Sequence, residues 1–368
     1  MSIIDQLQAK SKLLVKSLKQ VVPSDTLKYA SYGYSIARSA NYTAQASVLP
    51  WIDLIATGKR RQSAKNFSEH IKSALPKMND LLLKDAENIA KGYYPMQVLS
   101  PERPQQHIGR LPQVYREAFK ASLRRKKNLT EDFSNDTENI HQDMPAYYSR
   151  NFHFQDSGYL SEVSADLYEH QVEMLFSGTA NAMRRLIIPE LKDRFSSEDG
   201  VGLHFLELGV GRGTLTEFMA LAFPKAKITC VDLSPYYLKS AQNKLKKFSR
   251  IDYVQAKAED LPFKNDSFDA VYSCYLFHEL PREVREQVMK EAFRVLKNKG
   301  IVGAVDSLQL GDDSSLDWAL QQFPIDFHEP FYKNYTLHSL QELFTSTGFA
   351  DISEKQGFLS KSVVGTKN

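Results

Sequence analysis

The sequence predicts an α/β fold: a parallel sheet sandwiched by helices over residues 196–368, behind a mainly helical region over residues 1–195. Three observations carry this. Strands and helices alternate from about Gly200 onward, the pattern of a sheet covered on both faces. The first of those strands runs straight into a turn with three glycines. Before Gly200, apolar residues recur at helical rather than strand spacing.

The N-terminal elements follow in order. Ile4, Leu7, Leu14, Leu18 and Val21 read as one helix, stopped by Pro23. Phe67, Ile71, Leu75, Met78 and Leu82 read as another, with Gly92 as its C-cap. Residues 96–113 carry Pro101, Pro104 and Pro112 and read as a loop. Residues 128–146 are polar and acidic and read as a linker. Between Ser161 and Phe195 two helices are expected. Tyr168, Val172, Leu175 and Phe176 line the first, and Met183, Leu186 and Ile187 the second, with Gly178 between them.

The C-terminal elements are sharper. Strand Leu203–Leu208 precedes a helix through Leu215, Phe218, Met219 and Leu221. Strand Lys227–Val231 ends in Asp232, and helix Tyr237–Phe248 leads to strand Ile251–Val254. Strand Phe268–Ser273, helix Arg282–Leu296 and strand Ile301–Val305 come next. Thr336 is the expected cap of a helix holding Leu337, Leu340, Leu343 and Phe344, with Gly348 at its end. Two short strands near 350–356 and 361–366 follow.

Composition narrows the class. Hydrophobic content of 42% and charged content of 25% are those of an ordinary globular protein. No stretch reaches the roughly 18 uninterrupted apolar residues of a membrane span, and the N-terminus lacks a signal-peptide core. The two cysteines, Cys230 and Cys274, cannot build a disulfide framework, and no Cys or His spacing suggests a metal site. A cytoplasmic setting is the expectation. Charge is uneven: residues 1–130 hold 22 Lys and Arg against 9 Asp and Glu, within a chain of net charge +3. Such a basic front can meet an anionic partner or form a solvated helical surface. The run Arg124–Lys127 is followed by Glu131 and Asp132, which are expected to neutralise it.

The glycine turn reads Glu207-Leu208-Gly209-Val210-Gly211-Arg212-Gly213-Thr214. Glycines there let the backbone approach a ligand, and the following helix offers free N–H groups. Asp232, at the end of the second strand, is placed to accept from ribose hydroxyls. The spacing is G-x-G-x-G, and Thr214 stands where a dinucleotide enzyme has its third glycine or an alanine. Glu207 would repel a pyrophosphate, whereas a carboxylate suits an amino group or a sulfonium. Both features point to S-adenosylmethionine.

Residues 196–368 resemble class I S-adenosylmethionine-dependent methyltransferases, in the branch of the quinone-biosynthesis C-methyltransferases. The pieces that carry the resemblance are E-L-G-x-G-x-G at 207–213, V-D-L-S at 231–234, A-E-D-L-P-F at 258–263, F-D-A-V at 268–271 and F-H-E-L-P at 277–281. It implies a Rossmann-like sheet of seven strands, the last antiparallel. It implies that Gly209 and Gly211 border the methionine part of the cofactor, Asp232 the ribose and Ala258 and Glu259 the adenine. Glu207, Gly213, Leu233 and Tyr275 are further expected cofactor contacts. Where the family often has Gly-Asp before Ala258, this chain has Ala256-Lys257, and an ammonium cannot accept from adenine.

The acceptor is expected at loops beyond the strands' C-terminal ends. His278, Tyr275 and His328 are the candidate catalytic residues, His278 first as a base because imidazole titrates near neutrality. Glu279, Asp306, Ser307 and Glu329 lie beside them in sequence. Tyr147, Tyr148, Phe152, His153, Phe154 and Tyr159 form a further aromatic stretch, either a lid over the acceptor or packing between regions. The partner expected is a small-molecule acceptor, apolar or aromatic, with no DNA; nothing in the sequence specifies an oligomeric state. Three other readings compete. A nucleotide-dependent oxidoreductase is opposed by Thr214 and Glu207. A cofactor-binding regulatory protein without turnover is the second. The third is an RNA methyltransferase using the basic front half, which lacks an Asn-Pro-Pro-Tyr-type motif.

Overall fold

The computed structural model describes residues 24–59, 67–100, 104–131, 133, 140 and 144–368. The expected helix over Ile4–Val21 lies outside the described residues. Among the described residues, seven α-helices precede the first strand: α1 (Ser24–Ala46), α2 (Leu49–Thr57), α3 (Phe67–Lys91), α4 (Pro104–Lys127), α5 (Glu162–Leu175), α6 (Ala180–Arg184) and α7 (Ile187–Arg194). Then follow β1 (His204–Leu208), α8 (Thr214–Ala222), β2 (Lys227–Asp232), α9 (Pro235–Leu245), β3 (Ile251–Gln255) and β4 (Phe268–Cys274). The chain closes with α10 (Arg282–Val295), β5 (Leu296–Ser307), α11 (Asp317–Asp326), α12 (Tyr332–Thr336), α13 (Leu340–Thr347), β6 (Phe349–Gly357) and β7 (Ser360–Lys367).

The strands form one sheet in the order β3-β2-β1-β4-β5-β7-β6. β1 to β5 pair in parallel, and β7 runs antiparallel to both β5 and β6. Strand order reverses between β1 and β4, so the loops after those strands part and leave a crevice. Period-two alternation sends successive β1 side chains to opposite faces. Phe205 joins Ile187, Leu191, Phe218 and Met219 on one face, whereas Leu206 and Leu208 join Val288, Met289, Leu340 and Phe344 on the other.

The N-terminal helices are tied to the sheet region by buried charge. Arg185 donates from Nε and a terminal nitrogen to both oxygens of Asp85, at 2.8 and 2.7 Å. Tyr94 donates to the same carboxylate at 2.7 Å. Of the acids expected to neutralise the Arg124–Lys127 run, Asp132 lies outside the described residues and Glu131 pairs with Arg150. Arg125 pairs with Asp53 of α2, and Arg124 with Asp156.

Two further expectations fail. Residues 104–113 are helix, the start of α4, although Pro112 removes a backbone donor inside it. Pro104 occupies the first helical position, where no donor is needed. Beyond Pro112, Val114 is buried with Tyr42, Leu167 and Met174, and that burial offsets much of the roughly 3 kcal/mol an interior proline costs. Thr336 ends α12 rather than capping α13. The cap is Ser339, whose hydroxyl accepts from the Glu342 N–H at 3.2 Å.

Candidate active site

The glycine turn shows why each glycine is there. Gly213 has φ +74°, and a Cβ on it would come within 2.5 Å of Leu245, so α8 approaches α9 only through a glycine. Gly211 has φ +54°, and a Cβ there would meet nothing within 4 Å. Its open side faces a cavity of about 130 Å³. Gly209, Gly211, Asp232, Leu233, Ala258, Glu259 and Tyr275 line this cavity, as does Glu207 at its floor. Gly213 packs behind it. A turn with one open glycine at a helix N-terminus, ringed by carboxylates, is a cradle that fits a cationic sulfonium cofactor.

The acids are held in place by the backbone. Asp232 accepts from the Gly211 N–H through one oxygen and from the Ser234 N–H through the other, both at 2.8 Å. Each oxygen keeps a lone pair for a ligand hydroxyl. Burial pushes its pKa up to about 6, against the opposing pull of those N–H donors. Glu207 accepts from Thr216 Oγ1 at 2.6 Å, and burial raises it to about 8. Lys257, at the departure from the family pattern, is exposed and its backbone bridges to Asp260.

The opposite wall is aromatic and comes from upstream. Tyr147, Tyr148, Phe152, Tyr159 and Tyr168 line the same cavity. Tyr147 donates to Glu259 at 2.5 Å, and Ser234 Oγ donates to the Tyr159 carbonyl at 2.7 Å, fastening this segment to the end of β2. Phe152 stacks on Tyr159 with centroids 5.1 Å apart. Tyr275 holds a left-handed backbone at φ +56°, a costly conformation for a bulky residue, and its hydroxyl meets Ser360 Oγ at 2.7 Å.

Neither His278 nor His328 lines the cavity, against the expectation that they face the acceptor. His278 is buried, and its Nδ1 is held 2.5 Å from Asp306 Oδ1. His328 packs on Phe154 at 5.7 Å, and its carbonyl accepts from the His153 N–H at 3.2 Å. From the stretch after β4, Glu279 reaches the cavity instead, and its carboxylate accepts from the Tyr159 hydroxyl at 2.5 Å. Burial pushes the Glu279 pKa upward, partly offset by His278. Sequence reasoning also passed over Glu169 and Arg184, which line the cavity and pair at 3.2 Å. Their only signal was a position close to the aromatic stretch.

Residues 205–300 match the family model described as a methyltransferase domain. Over 212 residues the chain is 27% identical to the demethylmenaquinone methyltransferase of Lactobacillus johnsonii, a match covering 54% of this chain and 82% of that one. It is 29% identical over 157 residues to a ubiquinone/menaquinone biosynthesis C-methyltransferase of Salmonella arizonae, covering 40% of this chain and 62% of that one. A phosphoethanolamine N-methyltransferase of Haemonchus contortus, solved with S-adenosylmethionine, aligns at 17% identity over 61% of each chain with a TM-score of 0.44. The glycine cradle, the strand order and the family match converge: this chain is a class I S-adenosylmethionine-dependent methyltransferase resembling the quinone C-methyltransferases.

Proposed function

We propose that the enzyme methylates a small apolar or aromatic acceptor bound against the tyrosine wall formed by Tyr147, Tyr148, Phe152 and Tyr159. The observation that carries this reading is that the wall and the glycine turn line one cavity. S-adenosylmethionine supplies a methyl group already activated as a sulfonium. The chain's task is then alignment and exclusion of water. In this reading Gly209, Gly211 and Glu207 hold the methionine end, Asp232 and Leu233 the ribose, and Ala258 and Glu259 the adenine. Tyr275 closes the side next to the methyl group. His278 and His328 act at most through neighbours, His278 by orienting the Asp306 end of the site.

The wall doubles as a lid. A cavity of about 130 Å³ is well below the roughly 300 Å³ of a small-molecule site. Tyr147 must leave Glu259 for cofactor and acceptor to bind together. Two arginines of the basic helices bond internally, Arg38 with Glu173 at 2.9 Å and Arg125 with Asp53 at 2.5 Å, which favours the small-molecule reading over an RNA acceptor.

The test is mass spectrometry of cell extracts incubated with the protein and methyl-labelled cofactor. A labelled apolar small molecule is the expected product. Label found only in RNA or protein would overturn the acceptor class.

A further inference from the structure

Three side chains far apart in sequence meet beside the cavity. His153 comes from the aromatic wall, Glu279 from the turn after β4, and Glu329 from the segment between α11 and α12. The candidate ligand atoms of all three lie within 4.8 Å of one another. His153 Nε2 is 3.1 Å from Glu329 Oε1 and 3.9 Å from Glu279 Oε1. Two ligands each about 2.1 Å from one ion stand roughly 3–4 Å apart, so these spacings already match a shared coordination sphere.

The hydrogen bonds leave the cluster incomplete. Glu329 is 4% exposed, and neither of its oxygens accepts a hydrogen bond. The Tyr159 hydroxyl gives its proton to Glu279 at 2.5 Å. Its oxygen also lies 2.9 Å from His153 Nε2. The imidazole lies close to Glu329 but makes no hydrogen bond with it. The buried Glu329 carboxylate thus lies beside the partly buried carboxylate of Glu279. Among the described residues no lysine or arginine pairs with either; their ion-pair neighbours are the imidazoles of His153 and His278, and His278 is engaged by Asp306. Phe323 and Phe327 pack at 6.5 and 5.9 Å from the His153 ring and keep the surroundings apolar. Burying even one unpaired carboxylate costs several kcal/mol, and a divalent cation would remove that cost for both.

We propose that His153, Glu279 and Glu329 hold a divalent first-row metal ion in the wall of the methyl-transfer cavity. One imidazole nitrogen and two carboxylates, without a thiolate, suit Mn²⁺, Fe²⁺ or Zn²⁺ rather than a soft ion. With the ring's proton on Nδ1, His153 Nε2 has a free lone pair to ligate. Tyr159 orients Glu279 from behind, as outer-shell partners of metal ligands do. Three protein ligands leave coordination positions open, and Glu279 presents the site to the cavity. An acceptor bearing a hydroxyl or enol oxygen would bind there and ionise more readily, a clause that rests on the methyl-transfer reading. Ion binding itself does not rest on that reading.

The whole chain, stripped with EDTA and dialysed separately against MnCl₂ and ZnCl₂, is expected to retain about one ion per chain by elemental mass spectrometry. Glu329→Gln keeps the side chain's shape and should weaken that binding by about 100-fold or more, beyond what loss of an outer-shell partner costs. Glu329 does not line the cavity, so affinity for S-adenosylhomocysteine should stay unchanged in this variant and report an intact fold. If the variant fails to fold, pulsed electron paramagnetic resonance of the wild-type Mn²⁺ form decides, since imidazole ligation gives a ¹⁴N coupling. Absence of a stoichiometric ion, equal retention by Glu329→Gln, or absence of the ¹⁴N coupling would each overturn the site. Loss of S-adenosylhomocysteine binding by the wild type would instead strike the methyl-transfer reading.

Discussion

Asp232 and Glu207 are the two residues whose chemistry the sequence exposes best, because each ends or nearly ends a strand at the crevice. Asp232→Ala should weaken cofactor binding by about 1.5–3 kcal/mol, the range for hydrogen bonds to a charged group. Calorimetry checks this, and the melting temperature should hold. Glu207 makes a separate prediction in the absence of cofactor. Its carboxyl keeps a proton up to about pH 8 when folded but loses it near the ordinary carboxylate range when unfolded. The folded state therefore binds more protons in between, and stability falls as pH rises across that window. Glu207→Gln should still accept from Thr216 and should not lose that stability. Relative to wild type it should gain roughly 1–4 kcal/mol between pH 5 and pH 8, read by denaturant titration at both values. Residue type misled at His278 and His328. An imidazole near neutrality suggests a base, but burial and the Asp306 contact decide where His278 points, and neither is written in local sequence.

The aromatic segment 147–159 is the element on which the acceptor reading turns. Phe152 is buried at 1% exposure and stacks on Tyr159, so Phe152→Ala should cost about 3–5 kcal/mol of stability whatever the segment's function. The lid is tested better by Tyr147→Phe, which removes only the hydroxyl on Glu259. Association of S-adenosylhomocysteine should quicken about threefold to tenfold in stopped-flow, with the melting temperature nearly unmoved. An unchanged rate would make the segment packing alone. Elements of the sheet region were legible because strand, turn and helix signals there are local and agree. The helical front was less so: tertiary burial of Val114 carries α4 across Pro112, where local rules end a helix. His153, Glu279 and Glu329 could not be found by spacing at all, since three different segments deliver them.

At the scale of the molecule, the helical front and the sheet share buried polar contacts. Asp85→Ala should leave Arg185 charged, buried and unpaired, and destabilise the chain by about 3–5 kcal/mol in chemical denaturation. Ile187, Ile188 and Leu191 of α7 belong to the core of the sheet, so we propose that the sheet-bearing unit begins at or before Ile187 rather than at residue 196. Fold and cofactor class were readable because the glycine turn, its flanking acids and the alternation of elements all sit within one contiguous stretch. The acceptor wall was readable only as composition, since its approach to the glycine turn is a long-range event. The most direct measurement of the central claim is calorimetry of the purified chain with S-adenosylhomocysteine and, separately, NAD. The account requires micromolar-range binding of the adenosyl ligand and no heat from NAD. Binding of NAD with no response to the adenosyl ligand would contradict it.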